Sequence, residues 1–144
     1  MKTKKELTAP CGMDCFNCPV YAGIITEETK AAMAQLLELE PAQVPCNGCR
    51  AQQGCRLHWK SCDTLDCVKA KGVDFCFECG DFPCEKLQPA ADGAERYPHN
   101  MKVFNLCRIQ KVGVEKWADE EALKIRMRYY KGKFVVGRGP VLGE

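Results

Sequence analysis

Hydrophobic residues recur at helical spacing in three stretches of this chain, and prolines, glycines and polar residues separate those stretches. The first covers residues 26–38, where Thr26 can cap the helix by accepting a hydrogen bond from a first-turn amide. Pro41 and Pro45 end this element because proline lacks the amide that a helix needs. The pattern therefore predicts one helix in the N-terminal third of the chain.

The other two stretches lie near the C-terminus and predict a pair of helices. Residues 100–111 form the first helix, which Gly113 closes, and residues 114–130 form the second. The apolar stripe of the second helix consists of Val114, Ala118, Ala122, Ile125 and Tyr129, with Trp117 beside it. Beyond it, residues 133–142 predict a Gly-rich tail that contains a short strand, KFVV.

The middle of the chain has shorter elements and many cysteines. Thr64 can cap a short helix that ends before Gly72, and this helix would carry Cys67. A second helix start is predicted at Asp81. It would set Cys84 near a helix N-terminus, where the helix dipole favours a thiolate.

Cysteine accounts for 12 of the 144 residues, and all but Cys107 lie between Cys11 and Cys84. Three pairs have the spacing Cys-x-x-Cys, which is typical of a tetrahedral metal site because a tight turn brings both sulfurs to the same side. The other cysteines lie close to these pairs in the sequence. The predicted metal ligands are Cys11, Cys15, Cys18, Cys46, Cys49, Cys55, Cys62, Cys67, Cys76, Cys79 and Cys84.

A cysteine content this high also fits a disulfide-stabilised scaffold, which requires an oxidising compartment. The N-terminus is basic but no apolar run follows it, so we expect no signal peptide, and no stretch approaches the length of a membrane span. We therefore expect a cytoplasmic protein whose reduced thiols bind metal. The formal net charge of +2 predicts no partner, because metal-bound thiolates would change it.

Zinc is the metal that we favour, because structural zinc sites take four ligands that commonly come as two pairs, but the spacing alone does not separate zinc from iron. An iron–sulfur cluster is the alternative. Cys11, Cys15 and Cys18 have the spacing of the three cysteines that hold the cluster in radical S-adenosylmethionine enzymes. Those enzymes need a barrel of about 200 residues, for which this chain is too short, so we keep only the cluster. A thiol redox role is less favoured because no βαβ pattern surrounds the pairs.

Three further residues have simple interpretations outside a metal site. His58 lies between two cysteines and could supply a twelfth ligand, although a surface histidine is the favoured interpretation. We interpret His99 as structural or substrate-facing. Cys107 lies in a predicted helix among apolar residues, so we expect a buried, small apolar side chain there.

A basic stretch runs from Lys124 to Arg138, with six basic residues and no acidic ones. Such a stretch could bind phosphate backbones, but a solvated helix face is the favoured interpretation, so we expect no nucleic-acid binding of consequence. The sequence contains no catalytic triad, phosphate loop or paired carboxylates. We therefore expect a structural or binding module rather than an enzyme. Its expected partner is another protein, no membrane association is expected, and the sequence leaves the oligomeric state open.

These elements predict a small, mostly α fold with cysteine-rich metal-bound loops, irregular and with little β structure, in a single metal-stabilised domain. The aromatic residues expected in its core are Trp59, Phe75, Phe77, Phe82, Phe104 and Trp117. We divide the chain into a flexible lead-in (1–10), a cysteine-rich metal-binding domain (11–113), an amphipathic C-terminal helix packed on that domain (114–131) and a basic, Gly-rich tail (132–144).

Four ordered motifs resemble one known family. They are CGMDCFNCPVY, CNGCR, CDTLDCVKAKGVDFCFECGDFPCEKL, and RYPHN followed by VGVEKW, and they run from Cys11 to Trp117. The family is a cysteine-rich prokaryotic one, catalogued as a domain of unknown function, number 3795. The resemblance implies a small cytosolic protein that binds metal, and it implies no particular activity.

The cysteines that the resemblance shares with the family are Cys11, Cys15, Cys18, Cys46, Cys49, Cys62, Cys67, Cys76, Cys79 and Cys84. Cys55 fits less cleanly, because its spacing to the following pair varies within the family. The tail after Trp117 departs from the family pattern. The resemblance therefore implies nothing about the basic stretch.

Overall fold

The computed structural model describes residues 1–55, 62–87 and 101–132, and these residues are mostly helical. The helices are α1 (Glu27–Leu37), α2 (Cys49–Gln52), α3 (Asp63–Lys71), α4 (Met101–Val112), α5 (Val114–Lys116) and α6 (Ala122–Lys131), with 3₁₀ turns at Cys15–Asn17, Pro41–Gln43, Cys76–Glu78 and Glu85–Leu87. In these ranges β structure is limited to isolated bridges, Thr8 with Asp14 and Tyr21 with Cys46. The prediction of a mostly α fold with little β structure is confirmed. None of the helices in the described ranges combines the length and apolar character needed to cross a membrane.

α1 begins and ends as the sequence predicts. The hydroxyl of Thr26 accepts a hydrogen bond from the amide of Thr29 at 3.1 Å, which satisfies a free amide of the first turn. Glu38 ends the helix in the left-handed conformation, with φ of 54°. The buried face of α1 belongs to a small core cluster that consists of Val20, Ala34, Val44 and Cys46. α1 therefore covers one of the cysteine turns.

α3 begins two residues earlier than predicted. Cys62 precedes the helix as its N-cap, and Thr64 lies inside its first turn, so the prediction of Thr64 as the cap is wrong. The reason is a tertiary contact, because the Thr64 hydroxyl donates to the carbonyl of Lys86 at 3.2 Å. Gly72 ends the helix as predicted, with φ of 67°.

No helix begins at Asp81, and that prediction is also wrong. The amide of Asp81 donates to a cysteine sulfur at 3.4 Å, and a cis peptide bond joins Phe82 to Pro83. A short 3₁₀ turn follows only at Glu85–Leu87. The carboxylate of Asp81, which would have to cap the helix, instead accepts a hydrogen bond from Lys71 Nζ at 2.6 Å.

The C-terminal region contains the two predicted helical stretches, but the second is not uniform. α5 leads into a π-helical turn at Trp117–Glu121, which continues as α6. Gly113, with φ of 87°, separates this unit from α4. The main core consists of Leu65, Val68, Phe75, Cys76, Leu87, Met101, Leu106, Ile109, Trp117, Ala118, Ala122, Ile125 and Tyr129. α3, α4 and α6 thus pack around one apolar core.

Part of the expected flexible lead-in lies inside the fold. Leu7, Thr8 and Ala9 are buried, and the carbonyl of Thr8 accepts a hydrogen bond from Arg50 Nε at 2.7 Å. The end of this segment therefore packs against the cysteine region. The predicted KFVV strand, like His58, Trp59 and His99, lies outside the described residues.

Candidate metal centre

Two of the Cys-x-x-Cys turns lie side by side in the structure. The amide of Cys46 donates to the carbonyl of Val20 at 2.8 Å, which joins the turn of Cys46 and Cys49 to the turn of Cys15 and Cys18. The sulfurs of Cys15 and Cys49 lie 3.7 Å apart. Two sulfurs on one tetrahedral zinc, each about 2.3 Å from the ion, lie about 3.8 Å apart. We call these four cysteines the paired-turn group.

Backbone amides point at cysteine sulfurs in a repeated manner. The amide of Gly48 donates to Cys46 Sγ at 3.4 Å, and Gln52 Nε2 donates to the same sulfur at 3.2 Å. Four cysteine sulfurs accept a hydrogen bond from the backbone amide two residues later in the chain, namely those of Cys11, Cys18, Cys46 and Cys79. Such donors orient a thiolate and spread its charge, as the outer partners of metal ligands do.

Gly48 makes one of these turns possible. Its φ of 95° and ψ of 149° lie in a region that is open almost only to glycine. A Cβ atom at this position would come no closer than 3.5 Å to Leu7, so space does not exclude a side chain. The backbone conformation is therefore what requires glycine in the CNGC turn.

An arginine from α6 approaches the paired-turn group through a buried ion pair. Arg126 Nη1 lies 2.5 Å from Asp14 Oδ1, and their side chains are 14% and 1% exposed. Asn17 Nδ2 donates to the other carboxylate oxygen at 2.9 Å. Burial raises the pKa of Asp14, while Arg126 and Asn17 act in the opposite direction. The arginine also acts electrostatically on Cys15 and Cys18, so its charge favours thiolates there.

A second arginine, Arg50, also lies near the paired-turn group. Arg50 Nη2 donates to the carbonyl of Asp74 at 2.7 Å, and its guanidinium lies 4.9 Å from the ring centre of Phe75. Arg50 interacts electrostatically with three thiols, those of Cys11, Cys15 and Cys49. Two cations therefore flank the paired-turn group. A zinc ion with four thiolates carries a formal charge of about −2, which such cations stabilise.

The thiols of the paired-turn group differ in acidity. The hydrogen bond with Cys49 lowers the pKa of Cys15 to about 7, and the same contact raises the pKa of Cys49. Burial raises the pKa of Cys18. Cys15 thus ionises more readily near neutral pH than Cys18 or Cys49, and a thiolate is the form that binds metal.

Four other cysteines line one cavity of about 390 Å³. They are Cys67, Cys76, Cys79 and Cys84, which we call the pocket group. Cys79 Sγ accepts a hydrogen bond from Lys71 Nζ at 2.9 Å, and this contact lowers the pKa of Cys79. Burial, followed by the neighbouring cysteines, raises the pKa of Cys76 to about 12.

The remaining cysteines of the cysteine-rich segment lie around these groups. Cys11 interacts electrostatically with Cys15 and Cys62 and also with Cys76, so it lies near members of both groups. Cys55 acts electrostatically on the thiol of Cys49. The three are therefore candidate ligands beside the two groups of four, and the sequence spacing did not reveal this arrangement.

No set of three or more Cys, His, Asp or Glu side chains within residues 1–55, 62–87 and 101–132 already surrounds a common ion position. A shared ion would therefore require the cysteine sulfurs to move closer together.

Cys107 is exposed, so the prediction that it is a buried apolar side chain is wrong. The apolar face of α4 is formed by Leu106 and Ile109, whose side chains are buried. Position 107 follows Leu106 by one residue and therefore points about 100° away from it. The interpretation of Cys107 as a residue outside the metal centre stays a prediction.

Several charged residues near the cysteines were missed by sequence reasoning. Asp14 lies inside the CGMDC motif, yet an aspartate between two cysteines gave no sign of its buried partner. Arg126 lies in the basic stretch that was interpreted as a solvated face, and its low exposure shows that this holds only for part of the stretch. The one available signal was that Arg126 directly follows Ile125, a residue of the apolar stripe, so its side chain begins near the core.

Comparison with known proteins gives one match. The model of the family described as Protein of unknown function (DUF3795) matches residues 7–89. This range contains both groups of four cysteines and ends before α4. No curated protein and no solved structure matches the chain.

Proposed function

This chain belongs to the DUF3795 family, and we propose that it binds zinc through its cysteines, with the paired-turn group as the ligand set. The observation that carries this proposal is the 3.7 Å separation of the Cys15 and Cys49 sulfurs. It equals, to within about 0.1 Å, the spacing of two thiolates on one tetrahedral zinc ion. The two sulfurs belong to different Cys-x-x-Cys turns. Their closeness therefore arises from the fold and not from the local spacing of the cysteines.

The surroundings of the group suit a bound ion. Amides of Val20 and Gly48 face the sulfurs of Cys18 and Cys46. Arg50 and Arg126 supply the positive charge that a zinc tetrathiolate attracts. Zinc would join the two turns and supply folding energy on the order of 10 kcal/mol, because the unfolded chain has no preformed site.

Four thiolates leave no open coordination position, so the zinc would be structural rather than catalytic. The chain would then act as a structural or binding module, with another protein as its partner. This role requires a reducing compartment such as the cytoplasm, where thiols stay free to bind metal.

An iron–sulfur redox or sensor role is the second candidate. The observation that favours it is the closeness of Cys11 to Cys15, which adds a third neighbouring thiol to Cys15 and Cys18. Against a four-iron cluster stands the short Cys15–Cys49 separation. In a four-iron cluster each cysteine binds a different iron, which holds the sulfurs further apart.

Elemental analysis of the full chain, purified anaerobically, separates these candidates. We expect bound zinc, no iron and no visible absorption. Cys46→Ser and Cys49→Ser should each lower the zinc content, while Cys107→Ser, the matched control, should keep the wild-type value. Iron with acid-labile sulfide and visible absorption would establish the second candidate instead. A chain that holds neither metal would refute the proposal.

A further inference from the structure

The cavity next to α3 is a second place where the chain gathers thiols. Its lining includes the four cysteines of the pocket group together with Lys71 and Asp81. Cys67 comes from α3, whereas Cys76 and Cys79 come from the turn that follows, and Cys84 from the loop beyond. Three separate segments therefore direct their cysteines to one space of about 390 Å³.

We infer that Cys67, Cys76, Cys79 and Cys84 form a second metal site, separate from the paired-turn group, which binds a soft divalent cation such as zinc as a tetrathiolate. The inference rests on the proposed function, because it extends thiolate binding of zinc to another set of ligands. Thiolates select zinc over the hard cations magnesium and calcium, which prefer oxygen ligands.

One thiol of the pocket group is close enough to act on the other three. Cys76 interacts electrostatically with Cys67, Cys79 and Cys84. The cavity has room for an ion among them, since a single water needs only about 10–15 Å³ of such space. The amide of Cys76 donates to the carbonyl of Pro10 at 3.0 Å, which fixes the turn to the N-terminal segment.

Lys71 acts on this site from outside the ligand set. Its Nζ lies 2.9 Å from Cys79 Sγ and 2.6 Å from Asp81 Oδ2. The amide of Asp81 donates to the same sulfur at 3.4 Å. Cys79 therefore already has the two kinds of donor, an ammonium and a backbone amide, that hold a metal-bound thiolate in place.

The ion pair at the edge of the pocket site is open to solvent, because the side chains of Lys71 and Asp81 are 40% and 76% exposed. The ion pair beside the paired-turn group is enclosed, because the side chains of Arg126 and Asp14 are 14% and 1% exposed. An ion at the pocket site can thus reach solution without disturbing the core. We expect it to exchange faster than an ion at the paired-turn group.

Counting zinc ions by native mass spectrometry tests the inference. The full chain is reconstituted anaerobically with zinc, and its stoichiometry is compared with those of Cys79→Ser, Cys46→Ser and the double variant. Each single variant should hold one ion fewer than the wild type, and the double variant two fewer. Cys107→Ser should match the wild type. Equal counts in Cys79→Ser and the wild type would overturn the inference.

Lys71→Met supplies a second readout that leaves every ligand in place. Loss of an outer partner typically costs 10–100-fold in metal affinity. Competition with a chromogenic chelator should therefore show one ion released 10–100-fold more readily and the other unchanged. Lys69→Met, on the same helix, is the matched control and should change neither ion. Unchanged release from Lys71→Met would remove the lysine from the proposed site.

The outcomes for the two sites are distinguishable. If the wild type binds one zinc ion, and Cys46→Ser loses it while Cys79→Ser keeps it, the second site alone is refuted. If the wild type binds one zinc ion, and Cys79→Ser loses it while Cys46→Ser keeps it, the paired-turn group is refuted as a zinc site. A wild type without zinc would refute both.

Discussion

The paired-turn group and the pocket group use the same residue type and similar turns, but their surroundings differ. The paired-turn group lies beside the ion pair of Arg126 and Asp14, whose side chains are buried or nearly so. The pocket group borders a cavity, and its ion pair of Lys71 and Asp81 is largely exposed. The same Cys-x-x-Cys spacing thus occurs beside an enclosed ion pair in one group and beside an exposed ion pair in the other.

This difference teaches that the spacing of cysteines identifies candidate ligands but does not indicate how much a bound ion would contribute to the stability of the fold. An enclosed ion would join segments that are distant in the sequence, so its loss would affect folding. An ion at the surface could leave while the fold persists. The following predictions, from the largest expected effect to the smallest, test whether the two groups differ in this way.

Removal of all metal should produce the largest effect. A strong chelator should abolish the cooperative thermal transition of the cysteine region, because each structural zinc contributes on the order of 10 kcal/mol. α4 and α6 should keep part of their helicity, since Leu106 and Ile125 pack in an apolar core. Circular dichroism with and without chelator measures both. An unchanged melting transition in the stripped chain would contradict the account.

Asp14→Asn and Asp81→Asn form a matched pair at the two groups. Asp14→Asn leaves the guanidinium of Arg126 buried without its partner, which should lower the free energy of unfolding by about 3–5 kcal/mol. Asp81→Asn should have no measurable effect, because its ion pair is exposed to solvent. Chemical denaturation of both zinc-loaded variants checks the difference. Equal losses would show that the two groups are enclosed to the same degree.

Gly48→Ala and Gly80→Ala compare the backbones of the two groups. Alanine at position 48 must adopt a φ of 95°, which should lower the free energy of unfolding by about 1–3 kcal/mol. A Cβ atom at Gly80 meets nothing within 4 Å, so that variant should keep the wild-type stability. Thermal unfolding of the two variants gives the comparison. A stable Gly48→Ala protein would mean that the CNGC turn adapts to a side chain.

Cys107→Ser should have the smallest effect. Its side chain is exposed on α4, so the free energy of unfolding should change by less than about 0.5 kcal/mol. Bound zinc should also stay at the wild-type value, because this cysteine belongs to neither group. Denaturation together with zinc analysis checks both statements. Loss of zinc from this variant would show that the division of the cysteines is wrong.

The helices were predictable where the sequence alone supplies their signals. α1 follows from Thr26 and from the prolines after it, and α4 from its apolar spacing and Gly113. The cap at Thr64 and the helix at Asp81 failed because tertiary contacts prevailed. Thr64 donates to the carbonyl of Lys86, and the carboxylate of Asp81 accepts from Lys71 Nζ. Such contacts join separate segments of the chain, so the local pattern of hydrophobic and polar residues does not predict them.

The candidate ligands were predictable as a set, but their grouping was not. Local spacing brings Cys15 to Cys18 and Cys46 to Cys49, because each pair shares one turn. Which turns then meet depends on contacts between distant segments, such as the hydrogen bond from the amide of Cys46 to the carbonyl of Val20. The buried pairing of a carboxylate with an arginine 112 residues away escaped prediction for the same reason.

X-ray absorption spectroscopy of the anaerobically purified chain tests the central claim most directly, since it reports both the metal and its ligands. The account predicts a zinc edge and a first shell of four sulfurs at about 2.3 Å, without a neighbouring metal. An iron edge with iron–iron scattering, or a zinc shell that contains oxygen or nitrogen in place of sulfur, would contradict it.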